Sequence, residues 1–220
     1  MLKRLFSYFI PVNIYRKKSA ISKTIEINWN NGELVLDSQN TNYSYGSLQR
    51  ILRKGLKTIG FEKTAAMDHI LVLGVAGGSV IKTLVDEAAY KGRITGVEID
   101  EQMVAVSNTY FHLDKIANLD IVIDDAFEFV LKTKDRYDMI IIDVFEDMSM
   151  PNFLFERFFI NRIGFLLKRK GFILFNTMIL NPSHEERNRQ YCAAFDAEQF
   201  KLTKIPRLEE HNELILAEKI

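Results

Sequence analysis

Apolar and polar residues alternate along the N-terminal part of the chain, and a turn signal interrupts the alternation. Between residues 24 and 37, two alternating runs meet at Asn31-Gly32, a pair that readily takes the positive φ angles of a tight type I′ turn. This pattern predicts a β-hairpin in which Ile27 lies opposite Leu36. Both side chains then share one face of the hairpin, which another part of the fold has to cover.

Helical spacing follows the hairpin. Between residues 47 and 59 apolar residues recur every three or four positions, and Gly60 stands where a helix would end. From residue 69, short apolar runs alternate with segments of helical spacing, which is typical of a parallel sheet with crossover helices. The predicted strands are 69–75, 92–99, 119–123, 139–143 and 171–178. The predicted helices between and after them are 79–90, 101–110, 126–132, 152–168 and 183–196.

The order of these elements predicts an α/β fold: a doubly wound, mostly parallel, Rossmann-like sheet with a small N-terminal β-hairpin appendage. Two further runs, 200–206 and 213–218, predict an antiparallel pair at one edge of the sheet. We therefore divide the chain into an arm, hairpin and helix over residues 1–60 and an α/β domain over residues 61–220. A chain of 220 residues is long enough for one such domain with its own core.

Composition and charge exclude several classes of function for this chain. Lysine plus arginine and aspartate plus glutamate number 29 each, so no overall field attracts nucleic acid. The single cysteine, Cys192, allows no internal disulfide, which favours a cytoplasmic location. The four histidines lack the spacing of metal ligands, and we predict no metal site.

The first 18 residues read basic, apolar and basic again. Pro11 and two polar residues interrupt the apolar stretch, which is also too short to span a bilayer, so we predict neither a signal peptide nor a membrane span. We interpret the segment as an amphipathic arm that packs on the domain or on a partner subunit. Weak contact with a membrane surface is the alternative.

A glycine-rich segment follows the first strand of the predicted parallel sheet. The strand runs into Gly74-Val75-Ala76-Gly77-Gly78-Ser79, and helical spacing resumes directly afterwards. Small residues at such a turn let a ligand approach the main chain, and the N–H groups at the helix start point towards it. The same segment is also an ordinary way to build a strand-to-helix turn, so the motif alone leaves a functional and a structural role equally open.

Acidic residues stand at the ends of the next three predicted strands. Glu98 ends the second strand, Asp125 follows the third, and Asp143 ends the fourth. Taken singly, each is typical of a helix cap or a solvated loop, but together they meet the glycine-rich segment at the carboxyl edge of the sheet, where α/β folds bind ligands. Glu98 suits ribose hydroxyls and Asp125 the exocyclic amine of adenine. The glycine spacing differs from that of dinucleotide sites, which favours an adenosyl sulfonium.

The chain resembles the spermidine synthase family over about residues 24–218. The matching runs, in the family's order, are Val97-Glu98-Ile99-Asp100-Glu101, Tyr110-Phe111, Asp125-Ala126, the strand 137–143, Pro151, Phe158-Phe159 and Gly171-Phe172. The resemblance implies a class I S-adenosylmethionine-type transferase. The cofactor contacts that it implies are Gly74, Val75, Ala76, Gly77, Gly78, Ser79, Glu98, Ile99, Asp125, Ala126 and Asp143. It also implies catalytic roles for Asp143 and Glu146, and substrate contacts from Gln39, Tyr45 and Phe145.

Three departures from the family pattern bear on the reaction. The family's Gly-Gly-Gly-Asp-Gly-Gly motif holds the amine of decarboxylated S-adenosylmethionine through its aspartate, and the aligned residue here is Gly77. The family's Asp-x-x-Asp-Pro loop appears as Asp143 and Glu146 without the proline, and Gly46 stands where the family has a histidine.

We therefore predict alkyl transfer from a sulfonium cofactor to a small molecule, an amine, with a slight preference for methyl transfer from S-adenosylmethionine. Aminopropyl transfer from decarboxylated S-adenosylmethionine is the alternative. A binding or scaffold domain without catalysis is the second alternative. The resemblance is also compatible with a homodimer.

Overall fold

The structure, a computed structural model, describes residues 2–37, 42–146 and 149–220. Gln39, a predicted substrate contact, lies outside these ranges. Within them the chain forms two sheets, one antiparallel with four strands and one mixed with seven strands. This architecture confirms the predicted α/β class and its mostly parallel central sheet.

The N-terminal sheet has strand order β1-β2-β3-β4 and follows a short helix, α1. Its elements are α1 (Leu2–Phe6), β1 (Val12–Ser19), β2 (Lys23–Asn30), β3 (Glu33–Asp37) and β4 (Asn42–Ser44). The predicted hairpin is present, with Ile27 opposite Leu36 and with positive φ angles at Asn31 and Gly32. One face of the sheet covers α5, defined below, through a small apolar cluster that includes Ile25, Ile27 and Leu36.

Strand β1 was not predicted, because its sequence lacks alternation. Three consecutive basic residues, Arg16, Lys17 and Lys18, occupy its second half, and its pairing with β2 shifts register between Asn13 and Tyr15. A register shift moves side chains from one face of a strand to the other, so a period of two cannot persist across it. The appendage is therefore a four-stranded sheet rather than a lone hairpin.

The central sheet has strand order β10-β11-β9-β8-β5-β6-β7. Its strands are β5 (His69–Leu73), β6 (Arg93–Glu98), β7 (Leu119–Ile123), β8 (Tyr137–Ile142), β9 (Leu167–Met178), β10 (Phe200–Leu208) and β11 (Asn212–Lys219). The five strands β5 to β9 all run parallel to one another. Strand β11 runs antiparallel to β9, and β10 runs antiparallel to β11. The predicted antiparallel pair at the sheet edge is thus confirmed.

Helices cover both faces of this sheet. They are α2 (Gly46–Ile59), α3 (Phe61–Ala65), α4 (Ser79–Lys82), α5 (Glu101–Phe111), α6 (Ala126–Lys132), α7 (Arg157–Leu166) and α8 (Pro182–Ala193). A π-helical turn, Thr83–Glu87, continues α4, and short 3₁₀ turns lie at Leu113–Lys115 and Asn152–Phe155. The helix predicted over 152–168 is divided, because Glu156 has an extended conformation that separates the second 3₁₀ turn from α7.

Two apolar clusters, one on each face, hold the central sheet between its helices. Leu52 and Leu56 of α2 are fully buried in one of them, beside strands β5 and β9. No helix among the described residues is long and apolar enough to cross a bilayer.

Candidate active site

A cavity of about 570 Å³ opens at the carboxyl edge of the central sheet. The ends of β5, β6 and β8 and the segment after β7 line it, together with the turn between β1 and β2. Nine of the residues predicted to bind cofactor or substrate or to act in catalysis line this cavity: Gly74, Ala76, Glu98, Ile99, Asp125, Ala126, Asp143, Phe145 and Glu146.

Gly74 brings the ends of β5 and β8 into contact. Its φ angle is +83°, and a side chain there would collide with the main-chain carbonyl of Asp143. The N–H of Asp143 in turn donates to the carbonyl of Leu73 at 2.9 Å. Glycine is therefore required at residue 74 both for its backbone angle and for this close approach.

Glu98 is buried and binds the glycine-rich segment directly. Its Oε2 accepts hydrogen bonds from the N–H groups of Val75 (3.1 Å) and Ala76 (2.9 Å), and its Oε1 accepts one from the N–H of Asp100 (3.1 Å). Burial raises the pKa of Glu98, and these three N–H donors oppose the rise because they stabilise the carboxylate. The residue thus shapes the segment as well as lining the cavity.

Gly77 and Ser79 of the glycine-rich segment face the N-terminal sheet. The N–H of Ser79 donates to the hydroxyl of Ser44 at 3.2 Å, and a Cβ added at Gly77 would lie 2.7 Å from the Cβ of Ser44. Val75, Gly77, Gly78 and Ser79 are absent from the cavity lining among the described residues. The N–H groups of Val75, Ala76 and Ser79, which the sequence suggested for a ligand, already have protein acceptors.

Tyr45, a predicted substrate contact, packs away from the cavity lining. Its ring stacks on Phe111 with the centroids 4.4 Å apart, and burial raises the pKa of its hydroxyl. Tyr45 joins the N-terminal sheet to α5 in this arrangement. The signal that predicted it, a tyrosine just before a helix, does not report which way the ring turns.

The adenosine side of the predicted site combines an acid with exposed apolar atoms. Asp125 caps α6, with its Oδ1 accepting from the N–H groups of Phe127 (2.7 Å) and Glu128 (3.3 Å). Ile99, 45% exposed, and Ala126 present apolar atoms to the same cavity. Asp124 also lines it, although sequence reasoning assigned no role to this residue.

Asp143 lines the cavity and is hydrogen-bonded to a pair of buried asparagines that the sequence did not predict. The Nδ2 of Asn176 donates to Asp143 Oδ1 at 2.9 Å, and the Nδ2 of Asn212 donates to Asn176 Oδ1 at 3.0 Å. Burial raises the pKa of Asp143 to about 6, and the bond from Asn176 opposes this rise. The only sequence signal was an asparagine directly after the run 171–175 of β9, where a buried polar residue needs a partner.

The wall next to Asp143 is largely apolar. Phe145, Phe153 and Met178 line it, and Phe153 packs edge-on against Phe159 with centroids 5.1 Å apart. Glu146 is exposed at the cavity margin, where its main chain pairs with Ser149 through two hydrogen bonds of 2.9 and 3.1 Å. The cavity can therefore hold an aliphatic group beside the half-buried carboxylate of Asp143.

The turn between β1 and β2 forms a wall that the sequence did not indicate. Ser19 and Ser22 donate their hydroxyls to Asp100 Oδ2 at 2.5 and 2.6 Å, while Asp100 Oδ1 caps α5. Burial raises the pKa of Asp100, but these hydroxyl and N–H donors outweigh it and hold the pKa below the ordinary value. Ile21, Ser22 and Lys23 of this turn line the cavity.

The charge of the cavity is strongly negative. Five carboxylate side chains line it, and Lys23 is the one lysine or arginine among the described lining residues. The carboxylates are Glu98, Asp124, Asp125, Asp143 and Glu146. Such a cavity favours cations and disfavours the pyrophosphate of a dinucleotide. Among the described residues, no group of three or more His, Cys, Asp or Glu side chains is placed to hold a metal ion.

Residues 51–208 match the family model of the spermine/spermidine synthase domain. The chain belongs to this family. A polyamine aminopropyltransferase of Vibrio vulnificus (strain CMCP6) is 28% identical over 153 residues, which are 68% of this chain and 50% of that protein. The eEF1A lysine and N-terminal methyltransferase homolog of Drosophila melanogaster is 25% identical over 199 residues, covering 83% of this chain and 28% of that one. The chain thus spans half or less of the length of these relatives.

Solved structures of a spermidine synthase and of a methyltransferase share this fold. A spermidine synthase in complex with the transition-state analogue AdoDATO has a TM-score of 0.74 at 17% identity, covering 95% of this chain and 74% of its own. Human methyltransferase-like protein 13 in complex with SAH has a TM-score of 0.64 at 20% identity, and the match covers 80% of this chain and 83% of that chain. These likenesses confirm the predicted Rossmann-like fold.

Proposed function

We propose that this chain binds an S-adenosylmethionine-type sulfonium cofactor and transfers an alkyl group, preferentially methyl, to a small amine. The observation that carries the proposal is that five carboxylate side chains line one cavity at the carboxyl edge of the sheet. Both the sulfonium of the cofactor and a protonated amine are cations, and such a cavity concentrates both. Its volume, about 570 Å³, lies in the range of small-molecule sites.

The residues present fit an adenosyl group. Glu98 uses its carboxylate for three N–H bonds, and a carboxylate has about four acceptor positions, so capacity remains for a ribose hydroxyl. Ile99 and Ala126 supply apolar atoms on which a flat base can pack, and Asp125 or Asp124 can accept from an exocyclic amine. The relative in complex with SAH supports this class of ligand.

Asp143 is the residue that acts on the amine in this proposal. Because burial raises its pKa to about 6, it is ionised at neutral pH and can still accept a proton from an ammonium or from a water. An aliphatic amine has a pKa near ~10 and attacks only as the neutral base, so this proton must leave the nitrogen before or during transfer. Asn176 holds Oδ1 in place, which leaves Oδ2 for the amine.

The apolar wall beside Asp143 orients the acceptor. Phe145, Phe153 and Met178 exclude water from one side of the carboxylate and can contact the carbon chain that carries the nitrogen. When bound, S-adenosylmethionine supplies an electrophilic methyl carbon on a sulfonium leaving group that needs no acid. Alignment of the nitrogen by the protein therefore provides much of the rate acceleration.

The preference for methyl transfer depends on Gly77. The family aspartate that contacts the amine of decarboxylated cofactor is missing there, and Ser44 and Tyr45 occupy the space beside it. Aminopropyl transfer is the second candidate, and the negative charge of the cavity favours it because decarboxylated cofactor has no carboxylate to be repelled. The N–H groups used by Glu98 and Ser44 further reduce the donors that remain for a carboxylate.

A transfer assay tests the proposal. The chain is incubated with S-adenosylmethionine or its decarboxylated form and a panel of small amines and lysine peptides, and products are identified by mass spectrometry. The proposal predicts methylated amine and S-adenosylhomocysteine. Aminopropylated product with release of methylthioadenosine identifies the second candidate, and binding of cofactor without any product across the panel identifies the scaffold alternative.

A further inference from the structure

The N-terminal segment presents an apolar surface that no element of the described chain covers. Six large side chains within nine consecutive residues are exposed, among them Phe6 at 59% and Phe9 at 86%. We call them the N-terminal patch: Leu2, Leu5, Phe6, Tyr8, Phe9 and Ile10. Soluble monomers rarely expose contiguous apolar patches of this kind without an interaction.

The segment that carries the patch is held on the N-terminal sheet. The N–H of Asn31 donates to the carbonyl of Ser7 and the N–H of Gly32 to its hydroxyl, both at 2.9 Å. Arg4 Nε donates to the carbonyl of Gly32 at 3.0 Å, and its guanidinium lies 5.5 Å from the ring of Trp29. The polar groups of the segment thus bind the protein, and its apolar side chains remain outside.

The N-terminal segment is basic in sequence, although Glu26 pairs with Arg16 and the exposed Glu33 follows Gly32. The first 25 residues contain six lysines and arginines and no acidic residue, whereas the whole chain has a net charge of zero. The six are Lys3, Arg4, Arg16, Lys17, Lys18 and Lys23. Lys3 lies within the segment, and Lys17 and Lys18 are exposed on β1, against which α1 packs.

We infer that the N-terminal patch binds the surface of an anionic lipid membrane. Aromatic and leucine side chains beside lysines are the combination that inserts into a bilayer interface, where the apolar atoms leave water and the cations meet lipid phosphates. A second copy of the chain fits less well, because a two-fold contact through the same surface would place the two groups of cations against each other. The catalytic cavity takes no part in this contact, since none of the patch residues lines it.

Vesicle binding by the full chain tests the inference. Trp29, the single tryptophan, lies beside the segment and reports binding through its fluorescence, with vesicle co-sedimentation as the independent measurement. We expect at least about tenfold tighter binding to phosphatidylcholine vesicles that contain phosphatidylserine than to phosphatidylcholine alone, since lysines near the surface are attracted to anionic lipid. Binding should weaken at high salt.

Matched variants test whether vesicle binding depends on the N-terminal patch or on any exposed apolar side chain. Phe6→Ser with Phe9→Ser should reduce binding about tenfold or more, and Lys3→Glu should reduce it mainly for the anionic vesicles. Phe158→Ser is the control, because Phe158 is 60% exposed on α7, outside this segment, and should have no effect. Circular dichroism and binding of S-adenosylhomocysteine show that each variant remains folded.

Two outcomes would overturn the inference. The inference is wrong if wild type binds neutral and anionic vesicles equally. It is also wrong if the patch variant binds vesicles as tightly as wild type. A dimer in solution that Phe6→Ser with Phe9→Ser dissociates assigns the patch to a second copy instead.

Discussion

Asn176 of β9 donates a hydrogen bond of 2.9 Å to Asp143 Oδ1 at the end of β8, and this bond ties the proposed catalytic carboxylate to a fully buried amide. Asn212 of β11 fixes that amide by donating to its oxygen at 3.0 Å. The three residues lie on three adjacent strands, β8, β9 and β11. Asn176 is therefore a positioning residue, and its effect passes through the protonation and orientation of Asp143.

Asn176→Leu should raise the pKa of Asp143 further. A hydrogen bond to a charged acceptor contributes ~1.5–3 kcal/mol, which corresponds to roughly one to two pH units. Carbon-13 NMR titration of the aspartate carboxyls in the free protein measures this change without any substrate. In the transfer assay, the acid limb of kcat/KM should move to higher pH by the same amount.

Asn212→Ala is the matched control for this prediction. It removes the outer bond and leaves Asn176 free to donate to Asp143, so the change in pKa should be smaller than in Asn176→Leu. Equal titration of Asp143 in wild type and Asn176→Leu would show that the amide plays no part in setting its charge.

Asp143→Asn should stabilise the protein at neutral pH while abolishing transfer. The pKa of Asp143 is raised from 3.8 to about 6, so the folded state binds its proton more tightly than the unfolded state and loses stability as pH rises through this window. An asparagine has no charge to bury, and we expect a gain of about 1–3 kcal/mol above pH ~7 that vanishes near pH ~4.

Urea denaturation of wild type and Asp143→Asn at several pH values measures this gain. Turnover should fall by about 10² to 10⁴, the contribution typical of a general base. A variant that is less stable than wild type at neutral pH, or one that retains full turnover, contradicts the assigned role.

Glu98→Ala should weaken binding of S-adenosylhomocysteine by about 1–3 kcal/mol, and unfolding should become easier by a similar amount. Both effects arise because the carboxylate lines the cavity and also accepts from Val75 and Ala76. Glu101→Ala removes an exposed acid on α5 and serves as the control in calorimetry and denaturation. A loss of stability with unchanged affinity would restrict Glu98 to a structural role.

Much of the central fold follows from the sequence because its signals are local. Apolar runs of four residues, 70–73 in β5 and 139–142 in β8, are typical of strands buried on both faces of a sheet, and the acids at the ends of β6 and β8 come to its carboxyl edge. The place of Gly74 at this edge could be predicted as well, because it directly follows the apolar run of β5. The side-chain partners of these groups were not predictable in this way.

What the sequence did not reveal depends on contacts between distant segments. Asn176 and Asn212 are 36 residues apart, and Ser19 is 81 residues from Asp100. No periodicity connects such pairs, so the sequence does not show which residues are partners. The direction of Tyr45 likewise depends on how the two sheets pack, and the N–H bonds of Glu98 depend on how the segment after β5 meets the end of β6.

Ser19→Ala with Ser22→Ala should detach the β1–β2 turn from α5. Each O–H bond to the Asp100 carboxylate contributes ~1.5–3 kcal/mol, and its loss raises the pKa of Asp100. Because that pKa is depressed in the folded protein, the stability it supplies is present at neutral pH and disappears as pH falls through the folded pKa. The variant should therefore differ from wild type most at neutral pH in denaturation experiments.

The same variant should bind S-adenosylhomocysteine several-fold more weakly, since Ile21, Ser22 and Lys23 of the turn line the cavity. Ser183→Ala, at the start of α8, is the control. Unchanged affinity in a folded double variant would show that the turn does not contact the cofactor.

The central claim is that the cavity at the carboxyl edge of the sheet binds an adenosyl sulfonium with its amino-acid tail. Calorimetric titration of the wild-type chain with S-adenosylmethionine, S-adenosylhomocysteine and decarboxylated S-adenosylmethionine under one set of conditions tests it most directly. We predict saturable binding of all three, with the first two bound at least as tightly as the decarboxylated form, and weaker binding of each ligand by Glu98→Ala. A preference of tenfold or more for the decarboxylated form, about 1.4 kcal/mol, would contradict methyl transfer, and the absence of binding by all three ligands would contradict the claim itself.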